Sequence, residues 1–146
     1  MICGTHDIAQ AIAAHAVSTY PDECVGVLLG HWDQTTTTIR AIWPLDNRWP
    51  PHQDNHTRHS RFLLSPEDYV WADQQAQQRG MEIVGCYHAH PDQAAIPSAH
   101  DLAGARHAGG GPSFVYLIQS VWRGAATDLT AWCLVDDGSY FRQQWV

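Results

Sequence analysis

A chain of 146 residues with 45% hydrophobic and 16% charged residues is long enough to bury one core and too apolar for disorder. Its formal net charge of −7, with eight Lys and Arg and no basic cluster, argues against a phosphate-tracking nucleic-acid surface. No apolar run is long enough to span a bilayer, and the start, Met1-Ile2-Cys3-Gly4-Thr5-His6, lacks the order of a secretory signal, so one cytoplasmic domain over residues 1–146, away from membranes, is expected.

Asp7 to Tyr20 carries Ile8, Ala11, Ile12, Ala16 and Val17 at near-helical spacing, and Pro21 ends that helix. Cys24 to Leu29, closed by Gly30, reads as a buried strand. Thr36 to Trp43 reads as a second, stopped by Pro44. Asp46 to Ser60, with two prolines and three histidines, reads as a long irregular connection of the kind that often carries function. Arg61 to Leu64 is expected as a short strand. Ser65-Pro66-Glu67-Asp68 then opens a helix, with Ser at the N-cap, Pro at the first helical position and acids in the first turn. That helix is expected to stop at Gly80. Glu82 to His88 reads as a strand, Pro91 to Pro97 as a loop, and Ser98 to about His107 as a helix. After the break at Gly109-Gly110-Gly111-Pro112 come three strands, Phe114 to Val121, Leu129 to Val135 and Tyr140 to Val146, the last two joined at Asp137-Gly138. The order implies an α/β domain, a single mixed sheet flanked by helices.

Four cysteines, at 3, 24, 86 and 133, form no C-x-x-C pair, so neither a zinc ribbon nor a redox motif is indicated and reduced, mostly buried thiols are expected. Ten histidines, by contrast, raise the prospect of a metal. The informative stretch is Tyr87-His88-Ala89-His90-Pro91, followed by Ser98-Ala99-His100-Asp101. Residues two apart on a strand share a face, so His88 and His90 can offer two imidazoles to one ion. Asp101, in the first turn of the next helix, can return a carboxylate to it. Two nitrogens and one carboxylate oxygen suit zinc, with a fourth position open to water. Each half has a plainer account: an H-x-H pair is often only a surface strand, and Ser98-x-x-Asp101 fits a helix-capping pattern. Their occurrence together, across a loop with proline at each end, favours the metal.

His88-x-His90, seven residues, then Ser98-x-x-Asp101 resembles the signature of the JAMM/MPN+ metallopeptidases, in which an upstream Glu precedes H-[ST]-H-P and S-x-x-D. The resemblance extends to Tyr20-Pro21-Asp22-Glu23-Cys24-Val25-Gly26, to Asn47 with Arg61-Phe62 and Ser65-Pro66-Glu67, and to Tyr116-Leu117-Ile118-Gln119-Ser120. Ala89 stands where that family usually has Ser or Thr, and it is expected to point away from the ligands. The resemblance implies an MPN fold of cytidine-deaminase-like architecture, a Zn2+ cofactor held by His88, His90 and Asp101, and hydrolysis of peptide or isopeptide bonds after the C-terminal Gly-Gly of ubiquitin-like or sulfur-carrier proteins. It assigns Ser98 to the developing oxyanion and Glu23 to acid–base work.

The chain has only three glutamates. Glu67 is accounted for by its helix start. Glu82 lies six residues before His88, about 20 Å away along a strand. Glu23 remains, with solvent exposure as its plainer reading. Of the other histidines, His52, His56 and His59 in the long connection and His100 beside the motif are expected at the surface, and Trp43 and Trp49 in the core, although either tryptophan can also line a peptide groove. Three other functions compete: a zinc-binding MPN scaffold with weak or no catalysis, a zinc exopeptidase acting on unrelated peptides, and a zinc nucleobase deaminase. The last needs H-x-E with P-C-x-x-C, which is missing.

Overall fold

The computed structural model describes residues 1–51, 56–108, 111–135, 138 and 141–144. In chain order these form β1 (Ile2–Cys3), α1 (His6–Thr19), β2 (Val25–Trp32), β3 (Thr37–Leu45), α2 (Pro66–Gln78), β4 (Glu82–Pro91), α3 (Ala99–Ala108), β5 (Val115–Trp122), β6 (Ala125–Leu134) and β7 (Phe141–Gln144). The strands make one mixed sheet in the order β1-β3-β2-β4-β5-β6-β7, with β1/β3 and β4/β5 parallel and the other neighbours antiparallel. The expected single mixed sheet flanked by helices is thus the architecture found. No helix among the described residues is long and apolar enough to cross a membrane.

The apolar residues sort by strand parity onto two faces. On one, Ile12 and Ala16 of α1 pack on Leu28, Tyr87, Ala89, Val115, Leu117 and Val121. On the other, Ala72 and Ala76 of α2 pack on Val27 and Leu29, and Ala105 of α3 packs on Cys86, Tyr116 and Leu134. Gly26 lies opposite Tyr87, and a Cβ there would collide with the Tyr87 ring. Without it, the phenol lies across β2 and its hydroxyl meets Nδ1 of His15 at 2.8 Å.

Local signals place most element boundaries. Ser65 accepts a hydrogen bond from the Asp68 amide at 3.2 Å, Pro66 opens α2, and Gly80 follows it with φ +69. The four cysteines are free thiols, three of them buried.

The expected strand at Arg61 to Leu64 is not one. Its backbone is bonded by the Asn47 side chain and by loop backbone: Asn47 Nδ2 donates to the Arg61 carbonyl at 3.0 Å, Asn47 Oδ1 accepts from the Leu63 amide at 3.1 Å, the Arg48 amide donates to the Leu63 carbonyl at 3.1 Å, and the Arg61 amide donates to the Thr57 carbonyl at 3.0 Å. β1, which was not expected, is only two residues long, too short for periodicity to reveal. β3 passes through Pro44, which is tolerated because β1 covers the outer side of β3 only at Thr37 and Thr38. β4 runs on to Pro91, paired with Val121, so His90 lies within the strand. Parts of the expected final strand (Tyr140, Trp145, Val146), of its turn (Asp137), of the glycine break (Gly109, Gly110) and of the long connection (His52 to Asn55) lie outside the described residues.

Candidate metal centre

His88 and His90 leave β4 on the face shared by α2 and α3, each 3% exposed. Their Nε2 atoms face each other at 3.1 Å. Asp101, in the first turn of α3, brings Oδ2 to 3.1 Å from His90 Nε2 and 3.3 Å from His88 Nε2. Four donors at zinc-bond lengths form a tetrahedron with edges of about 3.3 Å. The three distances match one face of it.

The His90 ring is oriented from behind. Its Nδ1 lies 2.8 Å from the Ala94 carbonyl. A carbonyl only accepts, so Nδ1 carries the proton and the neutral ring presents a lone pair at Nε2. Asp101 is held as firmly. Ser98 N–H donates to its Oδ2 at 2.9 Å, and Asp101 N–H donates to Ser98 Oγ at 3.0 Å, a reciprocal cap at the start of α3. Capping and convergence on the histidines therefore occur at the same oxygen. Burial raises the Asp101 pKa, but the charge and hydrogen bond of His88 and the hydrogen bond from the Ser98 amide outweigh it and hold the carboxyl well below the usual range.

Glu23 differs in kind. It is 5% exposed, and its Oε2 is buried without a hydrogen-bond partner. Burial and then the negative charge of Asp101 push its pKa up to about 9, against the opposing charge of Arg61. Its backbone is pinned on both sides: its amide donates to the Arg58 carbonyl at 2.6 Å, and its carbonyl accepts from Asn47 Nδ2 at 3.0 Å. A carboxylate oxygen of Glu23 and one nitrogen each of His88 and His90 lie within 4.8 Å of one another. The site thus offers two three-donor sets, the two histidines with either Glu23 or Asp101. This donor set, with an orphaned buried carboxyl beside it, fits a divalent cation such as zinc.

All five residues singled out in the sequence meet here: Glu23, His88, His90 and Asp101 in the interior, and Ser98 on the exposed rim. Ala89 is fully buried in the α1-side core, so its departure from the motif alters that core and not the ligands. Glu82 is exposed, and its Oε1 accepts from the Trp32 amide at 3.3 Å. Three supports complete the site; Asn47 and Phe62 belong to the segments that carry the family resemblance, and Ala94 carried no readable signal. The Phe62 ring stacks on His88 with centroids 4.5 Å apart and planes at 27°. Asn47 uses both ends of its carboxamide to join Glu23, Arg61, Trp49 and Leu63. Ala94 contributes only a backbone carbonyl.

Among the other histidines, His59 is exposed and pairs with Asp22 at 3.1 Å, and His100 is exposed and meets Trp49 edge-on. His56 is instead half-buried, with Arg61 at 3.2 Å from its Nε2, while His52 lies outside the described residues. Trp43 packs in the α2-side core. Trp49 is buried in the loop, where its indole N–H donates to the His56 carbonyl at 3.3 Å.

Comparison with known proteins agrees with this geometry. The family described as prokaryotic homologs of the JAB domain matches residues 5–135. The desampylase of Haloferax volcanii is 31% identical over 118 residues, which cover 78% of this chain and 76% of that protein. A protein from Salinibacter ruber, solved in solution, is 39% identical with a TM-score of 0.73, covering 99% of this chain and 89% of that one. A JAB1/MPN domain protein from Archaeoglobus fulgidus, 18% identical with a TM-score of 0.57 over 99% of this chain and 95% of that one, shows the same fold. The chain belongs to the family of prokaryotic homologs of the JAB domain.

Proposed function

We propose that this protein is a zinc-dependent peptidase of the JAMM type that hydrolyses the bond after the C-terminal Gly-Gly of a ubiquitin-like or sulfur-carrier protein. The carrying observation is the triangle of His88, His90 and Asp101 donor atoms, spaced as one face of a zinc tetrahedron, beside a buried and unpartnered Glu23 carboxyl. The substrate class is supported by the likeness to a desampylase.

The two carboxyls divide the work according to their protonation. A ligand must be ionised, and Asp101 is held ionised by the histidines and the Ser98 amide. A proton shuttle must change state, and Glu23, with a free oxygen and a raised pKa that the charge of a bound cation would bring back down to the ionised form, is the group able to do so. When bound, zinc supplies Lewis acidity and lowers the pKa of water to about 7. Glu23 takes the proton of the attacking water and passes it to the leaving amine. Such acid–base work is typically worth about a hundredfold to ten-thousandfold. Ser98 Oγ accepts from the Asp101 amide, which leaves its own proton free to donate to the developing oxyanion. An extended tail without side chains suits a narrow groove beside a sheet.

The test uses purified, zinc-loaded protein and a carrier extended by one residue past Gly-Gly. Wild type releases the residue, and Glu23→Gln retains zinc but is slower by about a hundredfold or more. Equal cleavage by Glu23→Gln, or none by wild type, overturns the proposal. An equal rate on an unrelated peptide would establish the exopeptidase reading instead.

A further inference from the structure

Seven residues, 91 to 97, separate His90 from Ser98, and this irregular segment is tied down carbonyl by carbonyl. Ser120 Oγ of β5 donates to the Gln93 carbonyl at 2.7 Å. The Ala94 carbonyl faces His90 Nδ1 of β4 at 2.8 Å and also accepts from the Ile96 amide at 2.8 Å. Thr130 Oγ1 of β6 donates to the Ala95 carbonyl at 2.6 Å. Three consecutive carbonyls are therefore held by side chains from three adjacent strands. The central one sets which His90 nitrogen carries the proton.

The Thr130 bond is itself directed. Trp132 Nε1 donates to Thr130 Oγ1 at 2.8 Å, so the threonine hydroxyl has an incoming proton and only its own left to give. Ser120 is fully buried and lies directly beside His90 in the β4/β5 register. Neither hydroxyl is among the candidate ligands, and each holds a carbonyl next in the chain to the Ala94 carbonyl that orients His90.

The geometry points to Thr130, with Trp132 behind it, and Ser120 as positioning residues that hold the 93–95 carbonyls so that His90 keeps its Nε2 lone pair aimed at the metal. This inference rests on His90 being a ligand. Outer partners of this kind are commonly worth about tenfold to a hundredfold in metal affinity.

The test reads zinc affinity by competition with a chromophoric chelator, without any peptide substrate, together with the 15N shifts of the His90 ring in the metal-free protein. Thr130→Val keeps the β-branched shape and removes the donor, and Thr130→Ser keeps the donor. Thr130→Val is expected to weaken zinc by about tenfold or more and to mix the two ring tautomers of His90, with Thr130→Ser restoring both. Trp132→Phe, which frees the hydroxyl rotor, is expected to fall between them. Should Thr130→Val not fold, Ser120→Ala carries the same comparison. If either variant binds zinc as wild type does and leaves the His90 shifts in place while lowering the melting temperature, the role is structural and the inference fails. If wild type itself binds no zinc, it is the reading of His90 as a ligand that fails.

Discussion

β4 carries two opposite environments on alternate residues. Tyr87 and Ala89 face α1, fully buried, and the phenol that Tyr87 takes inside has His15 as its partner. Cys86, His88 and His90 face the other way, and the two buried side-chain atoms without a partner among the described residues, Glu23 Oε2 and the Tyr116 hydroxyl, both lie on that side. Uncompensated burial of polar atoms costs stability wherever it occurs. The chain confines that cost to the face that carries the candidate metal centre and offsets it with an apolar face that is closed and satisfied.

This contrast can be broken from either side. The largest stability effect is expected from Ile12→Ala on the α1 face. Removing a fully buried side chain there should cost about 2–5 kcal/mol in denaturant unfolding while zinc affinity stays unchanged. A loss of affinity equal to the loss of stability would show that the two faces are not separable. Next comes a pH dependence confined to the site face. With its pKa raised from 4.5 to about 9, Glu23 binds a proton in the folded protein that it releases on unfolding. Its contribution to the metal-free protein is therefore complete below about pH 4.5 and is lost as the pH rises toward about 9. Urea midpoints for wild type should fall between pH 6 and pH 8.5, and those of Glu23→Gln should fall less. The smallest effect is expected from Phe62→Leu. It removes a ring stacked on His88, worth about 1 kcal/mol, and should weaken zinc severalfold without moving the Glu23-dependent pH slope.

The parts of this design that repeat along the chain were legible in it. The two-residue spacing of His88 and His90 placed both rings on one face, and Ser65-Pro66 marked the start of α2, because strand parity and helix caps are local rules. Ser98 and Asp101 supported two readings, capping and ligation; the cap is formed, and the Oδ2 that closes it is the oxygen that faces both histidines. The failures share a different cause. Arg61 to Leu64 has the apolar content of a strand, but its backbone partners are the side chain of Asn47 and the loop backbone at Arg48 and Thr57. Glu23 was separable from Glu67 and Glu82 by position, yet its burial depends on Arg58 and Asn47 gripping its backbone, contacts that no periodicity encodes. The Ala94 carbonyl leaves no trace at all, since every residue has one.

Cys86 gives the site face one more property. It stands two residues behind His88 on the same side, packed among Ala105, Tyr116 and Leu134. Burial, helped by the Asp101 charge, pushes its pKa up to about 12, so sulfur stays a neutral thiol at any physiological pH. Its sulfur is also not part of the cluster formed by Glu23, His88 and His90, so the site offers an ion imidazole nitrogen and carboxylate oxygen, a donor palette that disfavours monovalent copper.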